Sequence, residues 1–459
     1  MLDRSIVKKL RKIAGEKSVL DTPEDLAVYG YDATFEDSPP DVVVLPTQTG
    51  QVSQIIKLAL ENRIPVIPRG MGSGLAAASV PFSGGILLTL SRMNRIIDID
   101  LENRTTSVET GVITAILQAE VEKQGLFYPP DPSSIKHSSI GGNIACNAGG
   151  PRCLKYGVTG DYVKGLTVVL PDGEIIKTGG KPIKDVTGYD LTSLLVGSEG
   201  TLGVITEALL RLISKPKFVQ TARAEFRTMD EASKAVFEIL STGLVPATLE
   251  LMDESAIRCV DEAMQLGLPR DIEAILVIET DGSDEATVKR EIDQIAEVCT
   301  QNNVRELKVA KSEAERTILW NARRSISPSL ARMAPNKLGE DITVPLSKIP
   351  ETIRRIKEIS AKYGLPIVVF GHAGDGNLHP NALFDKRDEE QRERLAAAVG
   401  EIFDVALEVG GTLSGEHGVG VLKRAYLEKA VGTRSLILQK KIKETFDPAG
   451  IMNPGKIFS

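Results

Sequence analysis

Three glycine-rich clusters, each placed where a strand pattern ends, limit the folds open to this chain more than any other feature. The first, PRGMGSGLAAAS (68–79), follows directly on the apolar run IPVI (64–67). The second is SIGGNIACNAGGPRCLKYG (139–157), reached after YPPDPSS (128–134). In the third, GYDLTSLLVGSEGTLGVITEALLRL (188–212), a short capped helix leads into a Gly-Ser-Glu-Gly turn and a long strand. Gly70, Gly72 and Gly74 stand where the backbone must approach something closely or take a positive φ. Successive backbone N–H groups in such a loop form an anion-binding concavity, for which a pyrophosphate is the natural guest. The spacing is G-x-G-x-G, and strands at 86–90, 96–100 and 105–109 follow where a Rossmann fingerprint needs a helix and an acidic residue. Ordering three such loops is unfavourable in conformational entropy, which a shared, extended ligand would offset.

Around these loops the pattern alternates helix and strand. DRSIVKKLRKIAG spaces Ile6, Val7, Leu10, Ile13 and Ala14 as one face of a helix, read as the first helix of a domain. VVVL (42–45) reads as a buried strand, and Thr49 caps a helix carrying Val52, Ile55, Ile56, Ala59 and Leu60. KPKFV (215–219) marks a boundary. Beyond it, strands at 218–226, 248–253 and 273–280 alternate with helices and no nucleotide loop intervenes, which predicts an antiparallel sheet covered by helices on one face.

Composition narrows the functional classes. A length of 459 residues implies about three domains. A net charge of −7 gives no overall attraction to nucleic acid or anionic lipid. No apolar run approaches the roughly 20 residues of a membrane span, and no secretory leader pattern is present. Cys146, Cys153, Cys259 and Cys299 have no CxxC spacing, so no zinc knuckle or iron–sulfur cluster is encoded. The expected setting is cytoplasmic, either free or peripheral to a membrane.

Two of only four histidines lie in GHAGDGNLH (371–379). Asp375-Gly376 is a strong two-residue hairpin signal, which would set His372 opposite His379. Directly opposed residues have Cβ atoms about 4.5–5.5 Å apart, a separation that suits two imidazoles on one metal ion or a hydrogen-bonded histidine pair. His417 falls in SGEHG (414–418), and TILWNARRSIS places two arginines beside the sole tryptophan, Trp320.

PRGMGSGL, PPDPSS, IGGNIACNAGG, KYGVTGDYV and VGSEGTLGVIT together resemble the flavin-binding domain of the vanillyl-alcohol oxidase superfamily. GHAGDGNLH, SGEHGVG and FDPAGIMNPGKIF resemble its branch of glycolate oxidase D-subunits, D-lactate dehydrogenases and D-2-hydroxyglutarate dehydrogenases, over nearly the whole chain. The resemblance implies an α+β fold: a two-subdomain FAD-binding domain (1–214), an antiparallel-sheet substrate cap (215–417), and a C-terminal segment (418–459) returning to the flavin domain. It implies that Arg69, Gly70, Met71, Gly72, Ser73 and Gly74 hold the FAD pyrophosphate. Pro130, Asp131, Pro132, Ser133, Ser139, Gly141, Gly142, Asn143, Ala145, Asn147, Gly149, Glu199, Gly200, Gly203, Val204 and Ile205 would line the rest, with Asn453 returning to the ring. No histidine precedes His137, so the tether some members use is missing and non-covalent FAD is implied.

The resemblance further implies His372, His379 and Glu416 as ligands of a divalent metal (zinc, manganese or iron), His417 as the base, and Arg323 as the substrate-carboxylate residue. Lys337 and Ser327 are candidates to assist. The implied reaction oxidises D-lactate, glycolate or D-2-hydroxyglutarate by hydride transfer to flavin N5. Electrons would pass to an iron–sulfur or electron-transferring flavoprotein subunit, or to quinone, in a homo-oligomer or hetero-complex. Two other classes stay open on the residues: a metal hydrolase or non-haem oxygenase using the histidine–carboxylate set, and a non-catalytic flavin electron carrier.

Overall fold

The computed structural model describes residues 2–458, which form two compact units. The first comprises 2–149, 158–215 and 416–458, and the second 150–157 and 216–415. The boundaries therefore fall at Lys215–Pro216 and Gly415–Glu416. The short stretch 150–157 joins the second unit because Lys155 Nζ and Tyr156 Oη both donate to the Asp281 carboxylate, at 2.6 and 2.8 Å.

In the first unit, Val42–Val44, Ile86–Thr89 and Val66–Arg69 run parallel, with Val19–Leu20 antiparallel at one edge. The helices Arg4–Ala14 and Thr49–Glu61 bury Ile6, Val7, Leu10, Val52, Ile55, Ile56 and Ala59 in one core with Val42, Val44, Val66, Ile86 and Leu88. That contact accounts for the apolar face of the basic first helix. A second, antiparallel sheet runs Ile96–Asp100, Thr105–Glu109, Val204–Arg211, Val163–Val169, Ile175–Gly179. The end of the chain returns to the first sheet: Val66 donates its N–H to Ile451 O, and Asn453 donates its own to Val66 O, both at 2.8 Å.

The second unit is built on one eight-stranded sheet. Its main order is Glu306–Val309, Phe218–Phe226, Ala274–Gly282, Thr248–Asp253, Ile367–His372, Asn377–Phe384, Asn336–Gly339, and Ile342–Thr343 also pairs with Asn377–Phe384. The expectation of helices on one face does not hold. Every residue of Thr248–Asp253 and Asn377–Phe384 is buried, so both faces are covered. Successive strand residues point to opposite faces, and the two helix layers can be told apart by that rule. Helix Glu285–Gln301 meets Thr280, whose Oγ1 donates to Val288 O at 3.1 Å. Helix Glu313–Arg324 meets Glu279 on the other face, through Trp320 Nε1 to Glu279 Oε1 at 2.8 Å.

The histidine hairpin forms, but in a different register from the one its Asp-Gly pair predicts. His372 pairs with Asn377 and Phe370 with His379, so the connection is the four residues 373–376. Gly376 N–H donates to His372 O at 3.1 Å, which closes the longer turn, and Val344 N–H donates to Gly376 O at 3.0 Å. Pairing with a third strand overrides the local two-residue preference: Asn377 also faces Thr343, and its Nδ2 donates to Asp341 Oδ1 at 2.6 Å. His372 and His379 become diagonal neighbours on one face rather than direct partners. Gly376 has φ +80°, and a Cβ there would stand 2.0 Å from Val344 O. Gly376→Ala is therefore expected to destabilise the second unit by more than about 2 kcal/mol. Urea unfolding followed by Trp320 fluorescence checks this, and an unshifted midpoint would contradict the register.

Candidate active site and cofactor cradle

The three glycine clusters meet in the first unit. A Cβ on Gly70 would lie 2.5 Å from Ser139 Oγ, so the first loop packs backbone-close on the second. Ser139 caps helix Ile140–Cys146 by accepting from Gly142 N–H at 3.3 Å. The third cluster joins the second where Glu199 N–H donates to Ala145 O and Gly197 N–H to Ile144 O, both at 2.9 Å. It closes on the first where a Cβ at Gly200 would touch Pro68 at 3.0 Å.

The polar side chains expected to line the cofactor largely build this cradle. Asn143 Nδ2 donates to Thr114 Oγ1 at 2.7 Å, and Asn147, left-handed at φ 51°, accepts from Gly160 N–H at 2.8 Å. Tyr128 O and Pro130 O accept from Gln118 Nε2, which anchors the loop carrying Asp131, Pro132 and Ser133. The buried Glu199 carboxylate accepts from Val419 and Gly420 N–H at 2.7 and 2.8 Å. Burial pushes this carboxyl up to about 7, against the two backbone donors that lower it. Asn453 Nδ2 donates to Ala78 O and Glu199 O, and Lys456 Nζ donates to Ala77 O and Val80 O. Burial pulls the Lys456 ammonium down to about 8. Asp32 beside the first loop, Asn453 and Lys456 are contributors that the glycine pattern alone did not reveal as a group.

The arrangement fits FAD. Asp32 Oδ2, Tyr128 Oη and Asn453 Oδ1 are buried without a hydrogen-bond partner. Each such atom costs about 1–3 kcal/mol unless a ligand meets it. Arg69, whose Nη1 donates to Ser79 Oγ at 3.3 Å, places a cation in the first loop beside Gly72. Met71 and His137 are exposed. Gly141 packs on Thr110, Gly203 on Val168 and Val169, and Val204 and Ile205 open the strand Val204–Arg211.

In the second unit the catalytic candidates share one sheet face. His372 Nδ1 lies 2.5 Å from Glu250 Oε1, and Arg323 Nε lies 2.7 Å from Glu250 Oε2. Burial alone would raise the Glu250 carboxyl, but His372 and Arg323 beside it hold it below its ordinary value. The Arg323 guanidinium stacks 4.6 Å from the Phe370 ring centre. The Nε2 atoms of His372 and His379 are 3.3 Å apart, with ring centres at 5.1 Å. Lys337 Nζ donates to Ser327 Oγ at 2.7 Å.

Among the described residues, Asp341, His379, Glu416 and His417 each offer one ligand atom, all within 4.8 Å of one another. Ser414 Oγ donates to Asp341 Oδ2 at 2.7 Å, and Gly415 seats against Thr343 and Asn377. Glu416 and His417 follow Gly415 directly in the chain. His372 stands outside this group of four but adjoins it through His379. Imidazole and carboxylate donors so grouped suit a divalent ion such as zinc, manganese or iron. Two residues were missed from the sequence. Asp341 carried no spacing signal. Glu250 did: it is a charge in the otherwise apolar centre of TLELMD.

The comparisons agree with this architecture. A profile for the FAD-linked oxidase C-terminal domain matches residues 215–457, and one for an FAD-binding domain matches 40–179. The glycolate oxidase subunit GlcD of Bacillus subtilis (strain 168) is 45% identical over 100% of this chain and 98% of that protein. The D-lactate dehydrogenase of Anaerostipes hadrus is 35% identical, over 98% and 97%. The D-2-hydroxyglutarate dehydrogenase of Stutzerimonas stutzeri (strain A1501) is 33% identical, over 100% of both. In fold, the chain matches p-cresol methylhydroxylase with a TM-score of 0.81 at 17% identity, covering 99% of this chain and 96% of that one. The chain belongs to the FAD-linked oxidase family and is a FAD-binding oxidoreductase of the vanillyl-alcohol oxidase fold. No helix among the described residues is long and apolar enough to cross a membrane.

Glu199 generates a pH prediction. Its folded pKa of about 7 lies above the ordinary 4.5, so between those values the folded state binds more protons than the unfolded. Stability therefore falls as pH rises through that window, by at most about 3 kcal/mol. Glu199→Gln should flatten the slope, checked by urea unfolding followed through flavin release at pH 5 and pH 7. Parallel slopes for both proteins would contradict it.

Proposed function

We propose that this oxidoreductase converts small 2-hydroxy acids to 2-oxo acids, with glycolate and D-lactate the first substrates and D-2-hydroxyglutarate the next. The observation that carries the reading is the grouping of Arg323, His372 and His379 on one sheet face, with Asp341, Glu416 and His417 beside His379, in a chain of this family. A 2-hydroxy acid presents a carboxylate and an adjacent hydroxyl, and these residues supply a partner for each.

Arg323 engages the substrate carboxylate with the nitrogens that Glu250 does not occupy, because a guanidinium fork meets a carboxylate bidentately. His372, His379 and Glu416 hold the metal, with Asp341 a further donor in reach. His417 takes the hydroxyl proton, a role suited to an imidazole near neutral pH. When bound, the divalent ion supplies Lewis-acid polarisation of the hydroxyl and FAD supplies the hydride acceptor. The first unit is the flavin domain and the second the substrate domain.

The relatives from Bacillus subtilis and Escherichia coli are named as subunits, which supports a hetero-complex. An iron–sulfur protein, an electron-transferring flavoprotein or quinone would then take the electrons. Anaerobic addition of D-lactate or glycolate should bleach the flavin, and pretreatment with a chelator should abolish the bleaching. Glu416→Gln should lose metal and keep FAD, measured by elemental analysis and flavin absorbance. Arg323→Ala should raise KM for the hydroxy acid at least about tenfold without lowering flavin occupancy. A flavin left oxidised across a panel of D- and L-2-hydroxy acids would overturn the reading.

A further inference from the structure

We propose that Glu250 is a positioning residue that sets two functional groups at once, orienting His372 through Nδ1 so that Nε2 turns to His379, and holding Arg323 by an ion pair at its Nε. This rests on the reading of His372 as a metal ligand and Arg323 as the carboxylate residue. It adds that metal affinity and substrate-carboxylate recognition are coupled through one buried side chain.

Strand pairing brings Glu250 to its place. Glu250 pairs directly with His372 across the Thr248–Asp253 and Ile367–His372 strands, where opposed side chains on one face are nearest. Its neighbour on the other side is Val277, which offers no donor. The carboxylate is fully buried, and an unpaired charge there would be strongly unfavourable. One oxygen meets His372 Nδ1 at 2.5 Å and the other meets Arg323 Nε at 2.7 Å.

Arg323 supplies a permanent positive charge against Glu250. A neutral imidazole donating from Nδ1 has its lone pair on Nε2, and that atom lies 3.3 Å from His379 Nε2. A carboxylate behind a metal-binding histidine fixes the ring and raises its basicity.

The second arm runs to the helix Glu313–Arg324. Trp320, one turn before Arg323, fixes that helix to the sheet through Glu279 Oε1 at 2.8 Å. Phe370, two residues before His372, stacks on the Arg323 guanidinium at 4.6 Å and lies 5.7 Å from the His379 ring. Anchored at Nε by Glu250 and on its face by Phe370, the guanidinium keeps only its terminal nitrogens for a ligand. A purely structural buried carboxylate would need any two donors. Here both donors belong to the candidate catalytic set.

Glu250→Gln tests the coupling because it preserves shape and turns one acceptor into a donor. Whichever way the amide sits, it removes the charge paired with Arg323, and one orientation also sets N–H against His372 Nδ1. Zn²⁺ and Mn²⁺ would be titrated into chelator-treated, FAD-loaded enzyme against a chromophoric chelator, with steady-state kinetics on D-lactate and glycolate. The expected result is a 10–100-fold weaker metal Kd together with at least a tenfold higher KM, at unchanged FAD content. Metal Kd and KM both within threefold of the unsubstituted enzyme, while that enzyme binds metal, would overturn the inference and leave the proposed function standing. No metal uptake by the unsubstituted enzyme would overturn both.

Should Glu250→Gln fail to fold, the tautomer itself is measurable in the unsubstituted protein. The chain has four histidines, so ¹⁵N-histidine spectra can be assigned with His372→Asn as the reference. A neutral His372 carrying its proton on Nδ1 supports the inference, and a proton on Nε2 overturns it.

Discussion

A carboxylate taken out of water must be met by donors on its oxygens, and each unit of this chain is arranged around one that is. In the first unit Glu199 receives the Val419 and Gly420 N–H groups, which fixes the chain just after Glu416-His417 to the turn that closes the flavin cradle. In the second unit Glu250 meets His372 Nδ1 through one oxygen and forms an ion pair with Arg323 through the other. The two solutions differ in kind. Burial raises the Glu199 carboxyl more than its donors lower it, whereas His372 and the Arg323 guanidinium hold the Glu250 carboxyl down. Glu199 thus acts mainly as a staple, and Glu250 as part of an ionised cluster.

The cradle depends on close backbone approach as much as on its staple. Gly70 against Ser139, Gly200 against Pro68, and Gly420 against Ala76 O, where a Cβ would come within 1.8 Å, are contacts no larger residue could make. The loops then need external ties, because glycine contributes none of its own side-chain packing. Asn453 and Lys456 supply them from the end of the chain, reaching Ala77, Ala78, Val80 and Glu199. A glycine loop assembled this way is held chiefly by segments distant in sequence.

That difference also sets what could be read from the sequence. Elements with a strong period were legible to within a few residues: the helix Arg4–Ala14, the strand Phe218–Phe226 and the strand Thr248–Asp253. The histidine hairpin was legible as an element but not in register, because Asp375-Gly376 is a local signal and the third strand at Ile342–Thr343 is not. Helices on both faces of the large sheet were missed although the strands are apolar on both sides, as in AILVIETDG. His372 and His379 stood out by rarity and spacing, while Glu416 and His417 were singled out through the family resemblance. Asp341 was not, since it meets His379 and Ser414 only through pairing of strands far apart in sequence.

The division between sheet and loop bears on specificity. Glu250, His372 and His379 lie on central strands and Arg323 on a helix fixed to them, so the groups proposed to address the carboxylate and hydroxyl have little freedom to vary. The named activities of the relatives, on glycolate, D-lactate and D-2-hydroxyglutarate, share that 2-hydroxy carboxylate and differ only beyond it. Substrate choice must then be set by side chains that approach the third substituent on C2. Lys337, exposed on the strand Asn336–Gly339, is one such candidate: its Nζ donates to Ser327 Oγ next to the Arg323 helix. A cation there would favour a second carboxylate over a methyl group or a hydrogen, because only the carboxylate carries the opposite charge.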